Sequence, residues 1–354
     1  MSAEVASPPK GGPNYFELLD DQLSVLARQE PVCLYLEVTN RCNLLCTTCP
    51  RTFEQLEPEA DMSWELFMKI VDQLPNVKRV VLHGVGEPML VKHLPQMVAY
   101  LKERGVYVLF NTNGTLLNNK NGQALIDAGL DELRVSLDAA EPTAFQMVRG
   151  KDMFDRIVSN VRSFRQMQVA QAKDLPRVSL WLTGLRETLY QLEAFVRIAE
   201  SVGVDAVHLQ RLVFFPDNSN GMARAENALF ENTSREEERI IERATTLARS
   251  LNITFSASGA TEPEASLKQK RSRSPWSLCG RPWSLMYFTA TGRAIPCCVA
   301  PFSMRGYGSF TLGDATQQTL REIWNGADYK EFRRKLLSAD PPPTCSNCGL
   351  RWSL

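Results

Sequence analysis

From residue 32 onward, short β-branched apolar runs alternate with amphipathic stretches. VCLYLEV (32–38), VKRVVLHG (77–84), VYVLFNT (106–112), ELRVSLD (132–138), RVSLWLTG (177–184) and AVHLQRL (206–212) read as strands. Between them, SWELFMKIVDQL, LPQMVAYLKERG, NGQALIDAG, FDRIVSNVRSFRQMQ and LYQLEAFVRIAESVG carry helical patterns, several ending at glycine. Strand alternating with helix predicts an α/β fold with a parallel sheet and crossover helices. Six such units make a partial (β/α)6 TIM-like barrel, about three-quarters of an eight-unit one.

The rhythm stops after residue 213. FFPDNSNGMARAENALFENTS is loop-like, REEERIIERATTLARSLN is a charged helix, NITFSAS is a short strand and EPEASLKQKRSRSPW is a polar, proline-bearing linker. The basic group of that linker, Lys268, Lys270, Arg271 and Arg273, reads first as a solvated run and second as a site for a phosphate or acidic partner. Four segments follow: a flexible leader and short helix (FELLDDQLSVLARQ) in 1–30, the partial barrel in 31–213, a helical connector and linker in 214–275, and a small cysteine-bearing domain in 276–354.

Composition narrows the function. With 44% hydrophobic residues in 354, the chain can bury a large core, and 40 basic against 40 acidic side chains leave no global field for nucleic acid or anionic membrane. The start, MSAEVASPPKGGPN, has no apolar signal region and no stretch approaches a membrane span, so a soluble cytoplasmic protein is expected. Nine cysteines therefore point to metal or catalysis more than to disulfides. Cys33 stands alone in an apolar run and reads as a small core residue.

Cys42, Cys46 and Cys49 form a C-x3-C-x2-C loop directly after the first strand, at the edge where parallel α/β folds place their sites. Zinc would ask for a fourth ligand, and no further cysteine follows within two hundred residues. Three thiolates on a four-iron cube leave one iron open to a small chelating molecule. This loop resembles the signature of the radical S-adenosylmethionine (radical SAM) enzymes. There the methionyl amino and carboxylate groups chelate the open iron, and one electron cleaves the sulfonium to give a hydrogen-abstracting 5′-deoxyadenosyl radical.

The companions of that loop extend the resemblance. GVGEP (Gly84, Gly86, Glu87 and Pro88) is similar to the family's glycine turn, which binds the methionine amino group; glycines allow close backbone approach and a carboxylate suits an ammonium. NTNG, with Asn113, and VSLDA, with Ser136 and Asp138, resemble its strand-end motifs. The resemblance implies that Ser136 and Asp138 lie near the ribose or methionine, that Arg149 reaches the carboxylate, and that LTGLRET (182–188) neighbours the adenosine. One position departs: the family often has an aromatic residue before the third cysteine, and here Thr48 stands there, so adenine stacking must come from elsewhere or be absent. His83 and the pair His208 and Gln210 read as structural or lumen-facing, and His93 as structural.

The second cysteine group, Cys279, Cys297, Cys345 and Cys348, supplies four thiolates, enough to close a site. With LGD (312–314) and EIWNG (322–326) it resembles a SPASM domain in its shortened, one-cluster twitch form, and implies an auxiliary 4Fe-4S cluster. Taken alone, the four thiolates also suit a structural zinc. Cys298 has three readings: a spare neighbour, the ligand in place of Cys297, or a hydrogen donor to a product radical. The expected activity is oxidation of a small polar metabolite such as a sugar, aminocyclitol or nucleoside derivative, with flavodoxin or ferredoxin as electron donor. Epimerisation, peptide modification and a purely electron-transferring or redox-sensing protein are the alternatives. The thirty residues before the first strand leave no room for a separate peptide-binding domain, which weighs against a ribosomal peptide.

Overall fold

The computed structural model describes residues 23–214, 221–229, 233–258, 263, 276, 279–346 and 348. The basic group at 268–273 lies outside these residues, as does most of the helix expected over 16–29. The described end of that helix, 23–29, is not helical. It is an irregular, bent segment tied to the C-terminal region: Asn325 Oδ1 accepts from Ala27 N at 3.1 Å, and Trp324 Nε1 donates to Gln29 O at 2.9 Å.

The six expected strands form as β1 (Cys33–Leu36), β2 (Arg79–Val81), β3 (Tyr107–Thr112), β4 (Glu132–Ser136), β5 (Arg177–Thr183) and β6 (Ala206–Gln210). Each pairs in parallel with the next. The parallel sheet does not stop there. β7 (Thr254–Ala257) pairs in parallel with β6, and β8 (Leu285–Phe288) pairs in parallel with the far side of β1. β9 (Arg293–Ile295) and β10 (Gly313–Asp314) continue antiparallel beyond β8, giving the order β10-β9-β8-β1-β2-β3-β4-β5-β6-β7. The C-terminal segment thus shares a sheet with the partial barrel.

Strand periodicity sets the two faces. In β5, Val178, Leu180 and Leu182 are buried while Arg177, Ser179, Trp181 and Thr183 point to the other side. β4 and β6 repeat this, with Leu133, Val135, Val207 and Leu209 buried. The buried face is covered by crossover helices such as Phe154–Ala170, which turns Phe154, Ile157, Val161 and Phe164 into the main core. Each such fully buried side chain contributes about 1.5–3 kcal/mol. The opposite, lumen-facing positions are left to line cavities.

In the C-terminal segment, EIWNG forms the end of the helix Leu320–Trp324, started by a capping box between Thr319 and Glu322. Behind it, Arg333 is fully buried; its guanidinium donates to Pro282 O, Trp324 O and Asn325 Oδ1 at 2.8–3.0 Å and lies 4.4 Å from the Trp324 ring centre. Among the described residues no helix is long and apolar enough to cross a membrane.

Candidate active site

The C-terminal ends of β1 to β6 surround a cavity of about 170 Å³. Cys42, Cys46, Cys49, Gly84, Gly86, Glu87, Asn113, Ser136, Asp138 and Arg149 all line it, so residues spread over 108 positions meet at one place. Pro88 does not line it. It opens the short 3-10 turn Pro88–Leu90 that carries the chain away.

Two side chains reach the cysteine sulfurs. Arg149 Nη1 donates to Cys46 Sγ at 3.7 Å and Asn113 Nδ2 to Cys42 Sγ at 3.9 Å. The loop backbone is tied down as well: Arg51 donates to Cys42 O and Leu44 O, Lys151 to Asn43 O, and Thr52 to Cys46 O. Burial pushes the Cys49 thiol up to about 12 and raises that of Cys46, the latter opposed by the nearby Arg149. Such thiols stay protonated until a bound metal displaces the proton.

Arg149 is also ion-paired with Asp138 at 2.7 Å. Burial works against its charge, but the Asp138 and Cys46 side chains outweigh that and raise its pKa. Asp138 sits at φ +57° and accepts from Thr183 N at 2.7 Å, which joins the ends of β4 and β5. The expected contacts of Asp138 with ribose and Arg149 with a carboxylate therefore start from groups already engaged with each other.

The glycine turn shows a further difference. A Cβ on Gly84 would stand 2.2 Å from Glu37 Cγ, and one on Gly86 would stand 2.2 Å from Thr39 O. The two glycines let the turn close on β1 and the cysteine loop, besides facing the cavity. Glu87 is 2% exposed; it accepts from Thr112 Oγ1 (2.7 Å), Asn113 N (2.6 Å) and Met89 N (3.1 Å). Burial raises its pKa against those bonds.

Sequence reasoning passed over Glu37. This buried carboxylate accepts from Val85 N (2.9 Å) in the glycine turn, from Tyr287 Oη (3.1 Å) in β8 and from Ala290 N (3.2 Å) just after it. Burial lifts its pKa to about 7, the three hydrogen bonds opposing the rise. It joins the cysteine strand, the glycine turn and the C-terminal segment in one place. The only signal in the sequence was a lone acid inside an apolar strand.

A second cavity of about 330 Å³ adjoins the first, sharing Thr48, His83, Asn111, Thr183, Gln210 and Phe302. The lumen-facing side chains of β4 to β6 supply Arg134, Trp181, His208 and Gln210, and the C-terminal segment supplies Cys298 and Phe302. His208 and Gln210 thus share one side, as their spacing predicts. His208 lies against Trp181 at 4.0 Å between ring centres and its Nδ1 meets Ser256 Oγ. Burial lowers the pKa of His83 to about 4 and of His208 to about 3, with Arg134 adding to both, so both are neutral. The buried Nδ1 of His83 has no hydrogen-bond partner. His93 lies elsewhere, at the N-cap position of the helix Leu94–Lys102 without a capping side-chain bond, and its Nε2 meets Met62 O. Cys33 is fully buried in β1.

The other four cysteines gather beside this cavity. Burial pushes Cys345 well above its ordinary value, and Cys279, Cys297 and Cys348 push it further; the Cys297 thiol is raised by burial and then by Cys298, Cys348 and Cys279. Cys298 turns the other way, to the second cavity and Tyr35. Among the described residues no three His, Cys, Asp or Glu side chains are drawn together as ligands of a single metal ion.

Residues 36–199 match the Radical SAM superfamily, and residues 279–349 match SPASM, an iron-sulfur cluster-binding domain. The chain is a radical SAM enzyme with a SPASM domain. Its cofactors are S-adenosylmethionine and iron–sulfur clusters. It is 25% identical over 332 residues to the tungsten-containing aldehyde ferredoxin oxidoreductase cofactor-modifying protein of Pyrococcus furiosus, covering 90% of this chain and 87% of that one. It is 21% identical to the PqqA peptide cyclase of Granulibacter bethesdensis, over 92% of this chain and 82% of that one. Among solved structures, Streptococcus suis SuiB bound to S-adenosylmethionine shares the fold with a TM-score of 0.62 at 16% identity, over 86% of this chain and 68% of that one. The same SuiB has been solved with its precursor peptide SuiA. The donors here fit the cofactors: three thiols face the first cavity with Arg149 and Asn113, and four more gather beside the second.

Proposed function

We propose that this radical SAM enzyme modifies a peptide by hydrogen abstraction, and that the two cavities divide the work. When bound, a 4Fe-4S cluster and S-adenosylmethionine supply a one-electron route to breaking an unactivated C–H bond. Cys42, Cys46 and Cys49 would hold that cluster, with Arg149 and Asn113 stabilising the thiolates by donated hydrogen bonds. Gly84 to Glu87, Ser136 and Asp138 face the space left for the methionine and ribose. Cys279, Cys297, Cys345 and Cys348 would hold an auxiliary 4Fe-4S cluster. The match of residues 279–349 to an iron-sulfur cluster-binding domain favours a cluster over a structural zinc.

The observation that carries the reading is the second cavity, joined to the first and walled by both domains. Its size suits one residue of a bound chain, held against the Trp181–His208 pair and Tyr35. Walls from both domains keep water and stray hydrogen donors from the reacting atoms. The similarity to a peptide cyclase over 92% of this chain favours a peptide over the sugar, aminocyclitol or nucleoside substrate that the sequence suggested. Reduction would come from a flavodoxin or ferredoxin, and an auxiliary cluster beside the cavity suits net oxidation.

Peptides encoded next to the gene should be incubated anaerobically with enzyme, S-adenosylmethionine and reductant. 5′-Deoxyadenosine that rises with a peptide and not with aminosugars or nucleosides supports the reading, and the reverse overturns it. A product two hydrogens lighter indicates oxidation, whereas deuterium gained from solvent indicates epimerisation with Cys298 as the donor.

A further inference from the structure

We infer that Phe302, a residue of the SPASM domain, supplies the aromatic face for the adenine of S-adenosylmethionine in the barrel cavity. Charged and amide side chains such as Glu87, Asn113, Asp138 and Arg149 line much of the first cavity, and its apolar side chains besides Phe302 are the aliphatic Leu44 and Val85. Phe302 is the one phenyl or indole ring among its lining residues. A purine needs a flat apolar surface, and stacking on an aromatic ring is the usual way to provide one.

The position of Phe302 within the cavity agrees. Phe302 is one of six residues that line both cavities, with Thr48, His83, Asn111, Thr183 and Gln210, so it stands at the opening between them, whereas Gly84, Gly86 and Glu87 line the first cavity alone. Thr48 stands at the rim beside the third cysteine and offers only a hydroxyl and a methyl group. The ring thus arrives from the C-terminal domain at the place where the cysteine loop has none.

Phe302 is held there by the auxiliary cysteine segment. It lies on the short helix Ala300–Ser303, directly after Cys297 and Cys298, and packs with Val213, Val299 and Cys348. Ser303 Oγ donates to Thr344 O at 3.0 Å, next to Cys345. The SPASM domain then completes the cofactor site besides carrying its own cluster.

The test is equilibrium dialysis of S-adenosylmethionine against the anaerobically reconstituted, unreduced enzyme, with L-methionine as a probe lacking the adenine. Phe302→Ala should weaken S-adenosylmethionine binding by about 5- to 150-fold and leave methionine binding unchanged. Phe302→Tyr should keep wild-type affinity, and adding Thr48→Phe to Phe302→Ala should restore most of the loss. Iron content guards against a folding defect and should equal that of wild type. Unchanged S-adenosylmethionine affinity in Phe302→Ala overturns the inference. So does an equal loss for methionine, which would mean that the whole cavity had collapsed.

Discussion

Replacing Glu37 by Gln tests the junction between the two domains. The wild-type carboxyl titrates at about 7 in the fold against an ordinary value of 4.5, because burial disfavours its charge more than Val85 N, Ala290 N and Tyr287 favour it. A folded pKa above the unfolded one gives stability that is complete below about pH 4.5 and lost as pH rises through about 7. Between about pH 5.5 and pH 8.5 the linkage amounts to about 2 kcal/mol. Gln has no such dependence. It also turns one acceptor into a donor, so Val85 N or Ala290 N faces an N–H group, at a pH-independent cost of about 1–3 kcal/mol. The variant should therefore be less stable at about pH 5.5 and close the gap as pH rises. For a chain of 354 residues, 2 kcal/mol corresponds to about 3 °C in Tm. Thermal unfolding of the reconstituted protein, followed by tryptophan fluorescence, reads this directly. His83 and His208 act oppositely, losing stability as pH falls below about 6.5, but they do so in both proteins and cancel in the difference. Parallel Tm curves for wild type and Glu37→Gln would refute the reasoning.

Iron analysis should find about eight iron and eight sulfide per chain, with about four remaining after Cys42, Cys46 and Cys49 are all changed to Ala; four iron and one zinc would defeat the auxiliary-cluster assignment. Cys297→Ala should lose about four iron, whereas Cys298→Ala should keep all of it, because only Cys297 turns toward Cys279, Cys345 and Cys348. Equal iron loss in the two variants would reject that assignment. Glu87→Gln should raise the Kd for S-adenosylmethionine about ten-fold with iron unchanged, by removing a negative charge from the cavity wall; an unaltered Kd would show that Glu87 serves the end of β3 alone.

Strands β1 to β6 were legible because each is a short apolar or alternating run between helical patterns. β8 was not: LMYF is four residues, buried on both faces, and has no polar alternation to betray it. The NITFSAS strand was legible, but its parallel place beside β6 depends on the register with Ala206–Leu209, which no local pattern shows. The cysteines, the glycine turn and the strand-end polar residues could be read because their spacing carries the chemistry. Glu37 and Phe302 could not. The partners of Glu37 are 48, 250 and 253 residues away, and Phe302 reaches the cavity only because the sheet folds β8 back beside β1. The expected helix over 16–29 had amphipathic pattern on its side, yet its described end is claimed instead by Asn325 and Trp324.

In the proposed function, Cys42, Cys46 and Cys49 support reductive cleavage of S-adenosylmethionine in the first cavity. Chromatographic measurement of 5′-deoxyadenosine after anaerobic incubation of reconstituted enzyme with dithionite and S-adenosylmethionine tests it most directly. Wild type should form 5′-deoxyadenosine steadily, and the variant with all three cysteines changed to Ala should form none while keeping about four iron in the SPASM domain. No product from the wild type with both clusters loaded, or equal product from the variant, would contradict the account.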